Sequence, residues 1–261
     1  MNEVDFSTFG VEVLEESYYR LVVVDFWAPW CSPCLSLMKT IEKVEKQGEF
    51  PVKYVKVNVD THTDLALHFK VMGVPNVKFF FGGKSMDEFS ENINESNFKA
   101  RIAKNLVLAH SLKRLDIDKV VVSDAISRLE TFYRNNNLLS SYGIPLIKYY
   151  LSEDLSKCYN FMVPLKSDPE FVEDYLYFQD LIRMLEIEFE ESPVHKKLWA
   201  AKNSFNRKDL DATYQFLLQA HKIDAVYLDQ MPKLTLLAFQ YYLGEHPLNE
   251  KYSSQMNNRL D

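Results

Sequence analysis

The first 110 residues alternate two periodicities. Leu21–Trp27 is an apolar run broken once, by Asp25, and predicts a strand buried on both faces. Residues 32–46 repeat apolar positions at helical spacing, and residues 52–59 alternate as a half-buried strand does. Asn76–Phe81 predicts a further strand, the Gly82-Gly83 pair a turn into a short strand over 85–89, and residues 95–112 a helix. Strands and helices in this order predict an α/β domain over residues 1–110.

After residue 112 the strand signal fades, apart from a brief Val120-Val121-Val122, and helices with readable starts follow. Asp168-Pro169, Ser192-Pro193 and His246-Pro247 each place Pro where a first helical residue belongs. Residues 142–151 pair with 154–165, and 194–205 with 208–222, as helical hairpins joined by a few polar residues. In each second helix a small residue, Cys158 or Ala212, falls where close contact with the first is required. These two positions lie 54 apart, so a long helix over about residues 169–187 has to intervene in a degenerate repeat. The shift predicts an all-α, tetratricopeptide-like helical-hairpin domain over 111–261. Its last helix, 247–260, carries Leu248, Tyr252, Met256 and Leu260 as one apolar stripe.

A chain of 261 residues with 47% hydrophobic content suffices for two packed cores. Net charge is −7, with 15 acidic and 12 basic residues up to His110 and 22 against 18 beyond it, so neither half offers nucleic acid a basic footprint. The opening MNEVDFSTFG lacks a cationic start and an apolar core, and no stretch reaches the roughly 18 uncharged apolar residues of a membrane span. These features predict a cytoplasmic protein with neither membrane nor nucleic-acid partners. In such a reducing compartment a structural disulfide does not persist, so two closely spaced cysteines among only three need a chemical explanation.

Those two are Cys31 and Cys34, in VVVDFWAPWCSPC, where a buried strand runs through a short loop into a helix. At a helix N-terminus unpaired N–H groups and the positive end of the dipole favour thiolate over thiol, which makes Cys31 a nucleophile. Cys34, one turn further in, is placed to attack a mixed disulfide on Cys31 and release a reduced substrate. A half zinc site and two inert cysteines are the competing readings. Zinc needs two more ligands in matching spacing, and neither Cys158 nor the six histidines supply them, so no metal and no cofactor is expected. Asp25 in a doubly buried strand costs several kcal/mol unless neutralised or paired. Burial raises its pKa and makes it able to take a proton from Cys34; the alternative is a strand end facing solvent. Val74-Pro75 enters a strand after Gly73, which suits a cis turn or a trans Pro that simply starts the strand.

DFWAPWCSPC, KVNVD at 56–60, GVP at 73–75 and the following FFFGGK resemble thioredoxin throughout residues 1–110. The resemblance implies a protein-disulfide reductase with Cys31 attacking and Cys34 resolving, and Asp25 with Lys56 as a buried charged pair behind Cys34. It also implies a cis Val74-Pro75 turn in a substrate groove with Trp30, Ser32 and Pro33. Ser32, Leu35 and Lys39 depart from the usual Gly, Lys and kinking Pro, and no glycine near Asn92 flattens the groove. The helical part resembles that of the chaperedoxins, bacterial thioredoxin–tetratricopeptide fusions of the YbbN type. LLAFQYYLGEHPLNEKYSSQMNNRL at 236–260 is similar to their terminal helix pair and KDLDATYQFLLQAHKID at 208–224 to their last hairpin. That resemblance implies a holdase and co-chaperone that binds unfolding or oxidised client proteins, guards their cysteines and passes them to the chaperonin and the Hsp70 system. It further implies a thioredoxin-reductase-type electron donor. Tyr149-Tyr150, residues 175–178 and Tyr241-Tyr242 are candidates for client-binding surface, against the simpler reading that they are core. A dedicated reductase whose helical domain docks one folded partner is the alternative.

Overall fold

A computed structural model describes residues 1–112, 114–136, 139–224 and 231–256. The chain divides into two compact units, Met1–Asn136 and Asn137–Asp261.

The first unit is built on a five-stranded mixed sheet of order β1-β3-β2-β4-β5: Asn2–Glu3, Leu21–Trp27, Val52–Asn58, Asn76–Phe81 and Lys84–Phe89 for β1 to β5. β2 runs parallel to β3 and antiparallel to β4, so the apolar run Leu21–Trp27 lies at the centre of the sheet. Helix α1 (Phe6–Phe9) is opened by an Asp5–Thr8 capping box and continues through a π-helical turn, Gly10–Glu15, and a 3₁₀ turn, Glu16–Tyr18. Phe9 and Val13 from this stretch pack on the sheet face formed by Val22, Val24, Phe26 and Phe80. On the opposite face Tyr54 and Phe79 meet Phe98 of α4 (Glu95–Ser111), each at 6.4 Å between ring centroids. Helix α2 (Ser32–Gln47) packs on β2 and α4. The short α3 (Thr63–His68) precedes β4. Gly82 and Gly83 turn the β4–β5 hairpin at φ +63° and +79°, and the Tyr18 phenol fills the space a Cβ on Gly83 would need.

Val120-Val121-Val122 is helical, contrary to its strand-like composition. Asp118 caps α5 (Lys119–Asn135) by accepting from the Val120 N–H at 2.7 Å, and Val122, Ala125, Ile126, Leu129 and Tyr133 recur on its buried side. Helical periodicity over 17 residues outweighs three β-branched side chains. α5 packs on α4, and Arg128 binds Glu49 at 2.8 Å while lying 5.3 Å over the Phe50 ring. The first compact unit therefore runs on to Asn136, past the expected boundary at residue 110.

The second unit contains α6 (Ser140–Tyr150), α7 (Leu155–Ser167), α8 (Val172–Glu186), α9 (Pro193–Asn206), α10 (Leu210–Asp224), α11 (Met231–Leu243) and α12 (Pro247–Met256). α6 pairs with α7 and α9 with α10, as the two predicted hairpins require. Cys158 is buried with its Sγ 3.8 Å from the Ile147 carbonyl, a contact that needs a small side chain. Ala212 is only half-buried, in the first turn of α10, and Thr213, Tyr214 and Leu217 fill the core instead. α8 is the intervening helix, but Pro169 lies in the turn before it, closed by the Phe171 N–H on the Asp168 carbonyl at 3.0 Å. Pro193 and Pro247 do open their helices. Lys148 is buried in this unit; its Nζ donates to the Tyr242 carbonyl at 2.7 Å and lies 5.5 and 5.6 Å from the Tyr241 and Tyr242 ring centroids. In the last helix Tyr252 packs on Tyr214 at 4.7 Å and Leu248 is half-buried, whereas Arg259, Leu260 and the Met256 side chain lie outside the described residues. No helix among the described residues is long and apolar enough to cross a membrane.

Candidate active site

Cys31 is the N-cap of α2 and Cys34 its third residue, with Pro33 in the first turn, where a missing N–H costs nothing. The two sulfurs form a disulfide, 2.06 Å long, and the Cys34 N–H donates to the Cys31 Sγ at 3.2 Å. The Cys31 sulfur thus sits where the first turn of the helix presents its free donors. Cys31 is 4% exposed and Cys34 fully buried; both pack with Ala28, and Trp27, Val59 and Val74 close around them.

Asp25 is fully buried in mid-strand, which excludes the solvent-facing alternative. It shares a sheet face with Tyr54 and Phe79, the face that α4 covers and on whose side α2 packs. Burial pushes its pKa up to about 7, and the positive charge of Lys56 opposes the rise. Lys56 is its register partner on β3, yet neither Asp25 oxygen has a hydrogen-bond partner among the described residues. The Lys56 ammonium instead lies 5.1 Å over the Trp27 ring. The expected pair is therefore one of proximity and field, without direct contact. A carboxyl poised near neutral pH can accept and return a proton.

Val74–Pro75 is cis. Val74 packs on the cysteine cluster, Pro75 is buried, and Trp30, Ser32 and Pro33 lie exposed around Cys31. One partner went unread in the sequence: Asp60 accepts from the Trp30 indole N–H at 3.0 and 3.1 Å and holds the ring in place. It ends the KVNVD segment, but nothing in that segment alone says which ring it meets. Among the described residues no group of three or more His, Cys, Asp or Glu is arranged to hold a metal ion.

A cysteine pair joined as a disulfide at a helix N-terminus, with a buried carboxyl on the same side of the sheet, is the arrangement of a thiol–disulfide exchange centre on an α/β domain. Residues 2–104 match the family model for thioredoxin. Thioredoxin 1 of Nostoc sp. is 33% identical over 100 residues, which span 38% of this chain and 92% of the relative. The thioredoxin of Acetoanaerobium sticklandii is 35% identical over 105 residues, 40% of this chain and 98% of the relative. The solved structure of Fasciola hepatica thioredoxin aligns at 31% identity over 40% of this chain and 98% of its own, with a TM-score of 0.37. The chain belongs to the thioredoxin family through its N-terminal domain, and it is a thiol–disulfide oxidoreductase of that family.

Proposed function

We propose that this protein is a cytoplasmic protein-disulfide reductase of chaperedoxin type. It binds unfolding or oxidised client proteins, reduces and shields their cysteines, and passes them to the chaperonin or the Hsp70 system. The observation that carries the redox half is the Cys31–Cys34 couple at the start of α2, with the buried Asp25 on the same side of the sheet. In the reduced protein the Cys31 thiolate attacks one sulfur of a client disulfide; a Cys31–sulfur bond forms, the client S–S bond breaks, and the departing thiolate takes up a proton from water. Cys34 then gives its proton to Asp25 and attacks the Cys31 Sγ, which re-forms the protein disulfide and releases the second client thiolate. That thiolate is protonated in turn, so the client ends with two electrons and two protons and the protein with its disulfide. An external dithiol, supplied by a thioredoxin-reductase-type donor, restores the reduced pair.

For the holdase half, the support is apolar surface on the helical unit: Val163, Leu176, Phe189 and Trp199 are exposed, the last two in edge-to-face contact at 5.3 Å. The aromatic residues singled out from sequence contribute little of it, because Tyr150, Phe178 and Tyr242 are core and Tyr149, Tyr175, Tyr177 and Tyr241 are half-buried. A dedicated reductase that docks one folded partner is favoured by a different feature, a groove of about 450 Å³ between α7 and α8 lined by Tyr159, Met162, Val163 and Tyr175. Capture with Cys34→Ala, which leaves mixed disulfides on Cys31, separates the two when combined with aggregation assays on several unrelated unfolding proteins. A broad captured set and general suppression are expected; one captured partner with no suppression would support the docking reading.

A further inference from the structure

We infer that Leu35 and Met72 determine which disulfides this protein reduces, selecting those flanked by apolar residues. The inference rests on the exchange chemistry at Cys31 and adds a selectivity that the chemistry does not itself require. Because Cys31 as a residue is only 4% exposed, a disulfide held clear of the surface does not reach its sulfur. A client sulfur arrives there only if the chain on either side of it lies across the surrounding rim, so the residues of that rim meet the flanks of every disulfide attacked.

Two elements supply the rim beyond Trp30. Leu35 lies one helical turn beyond Cys31, its N–H donating to the Cys31 carbonyl at 3.2 Å, so the two share one side of α2. Leu35 is 42% exposed. Met72 precedes the Gly73-Val74-Pro75 segment whose Val74 packs on the cysteines, and it is 96% exposed. Gly73 between them leaves open space where a side chain would stand, so a bound chain meets Met72 without obstruction. The exposed Ser32 and Ser36 beside them carry no charge, and the Asn92 amide donates to the Ser36 hydroxyl at 3.3 Å. Asp60 is engaged by the Trp30 indole, whose N–H it accepts, and in sequence Lys39 follows Leu35 by one helical turn and Lys70 precedes Met72 by two residues. What a client contacts first is a thioether, an isobutyl group and an indole. Methionine is adaptable in such a place, since an unbranched thioether refits to different apolar partners.

The test uses two disulfide-linked peptides that differ only in the residues flanking the half-cystines, Leu in one and Ser in the other, with dithiothreitol as the terminal reductant. In each, the peptide S–S bond takes two electrons from the Cys31–Cys34 dithiol, which closes and is reopened by dithiothreitol. The ratio of the two kcat/KM values within one protein cancels any general change in reactivity. Wild type should prefer the Leu peptide by roughly tenfold, the discrimination one apolar side chain gives in a partly open site. Leu35→Ser and Met72→Ser should each reduce the ratio by about threefold, the double variant should bring it near unity, and Met72→Leu should restore it. A wild-type ratio near one, or a ratio unmoved in the double variant, overturns the inference. Failure of wild type to reduce either peptide would remove the exchange chemistry and the inference with it, an outcome distinct from lost selectivity.

Discussion

Replacing Asp25 with Asn should stabilise the protein above neutral pH and slow it at the same time. The carboxyl is held at a pKa of about 7 against an ordinary 3.8, so the folded state keeps a proton that the unfolded chain gives up between those values. A raised carboxyl pKa means that stability is full below about pH 4 and falls as pH rises to about 7; at 1.36 kcal/mol per pH unit the loss approaches about 4 kcal/mol. Asn cannot ionise and escapes that loss, but it buries an amide whose unpaired polar atoms cost about 1–3 kcal/mol. The variant should therefore be more stable than wild type by about 1–3 kcal/mol near pH 8.5 and equal or less stable near pH 5. Urea unfolding of the oxidised 261-residue chain at the two pH values, followed by tryptophan fluorescence, reads the difference. Disulfide reduction at neutral pH should fall by about tenfold or more, because Cys34 loses its proton acceptor. Parallel pH dependence of stability in the two proteins would refute the reasoning, since it would mean that Asp25 ionises freely in the folded state.

Other outcomes follow from single contacts. Cys158 is buried with its thiol pKa pushed up to about 12 by desolvation, so a thiol reagent should label it only after unfolding; labelling of the native protein within seconds would contradict its place in the α6–α7 contact. Lys70 stands at φ 55°, a conformation that glycine adopts without steric cost, so Lys70→Gly should raise stability by about 0.5–1 kcal/mol in a thermal melt, and a lower midpoint would show that the lysine side chain itself holds the turn. In the last helix, the Lys251 ammonium and the Tyr252 hydroxyl reach Asp211 of α10 at 2.5 and 2.9 Å, which is how a capping helix is tied down. Tyr252→Ala should cost about 2–4 kcal/mol, whereas Lys251→Ala should leave the melt almost unchanged. If Lys251→Ala abolished chaperonin capture in a pull-down while its melt stayed unchanged, the polar face would be a docking surface and capping would not be its whole role.

The elements of the exchange site were largely legible, because each carries a strong local pattern. Leu21–Trp27 and Asn76–Phe81 appear at the bounds their apolar runs predict, and Asp25 stood out as a carboxylate inside such a run. Lys148 sends the same signal from the apolar stretch Gly143–Tyr150 and is buried in the same way, yet it had no motif beside it to attach a meaning to. What escaped was short or non-local. β1 has two residues and α3 six, too few to show a period. The hydrogen bond from Trp30 to Asp60 joins residues 30 apart. Val120-Val121-Val122 misled because β-branching is a weak preference that the buried side of α5 overrides. Aromatic pairs such as Tyr149-Tyr150 could not be divided into core and surface without knowing the helix faces; Tyr150 stacks on Phe161 at 5.7 Å and belongs to the interior.

The most direct test is to follow the covalent state of Cys31 while the reduced protein meets an insulin-type disulfide. Wild type should release both substrate thiols and return to its own Cys31–Cys34 disulfide without a lasting adduct. Cys34→Ala should stop at an equimolar adduct that maps to Cys31 and is released by dithiothreitol, and Cys31→Ser should form neither adduct nor product. Turnover that survives in Cys31→Ser, or an adduct that maps to Cys158, would contradict the assignment of Cys31 as the attacking thiol of this protein.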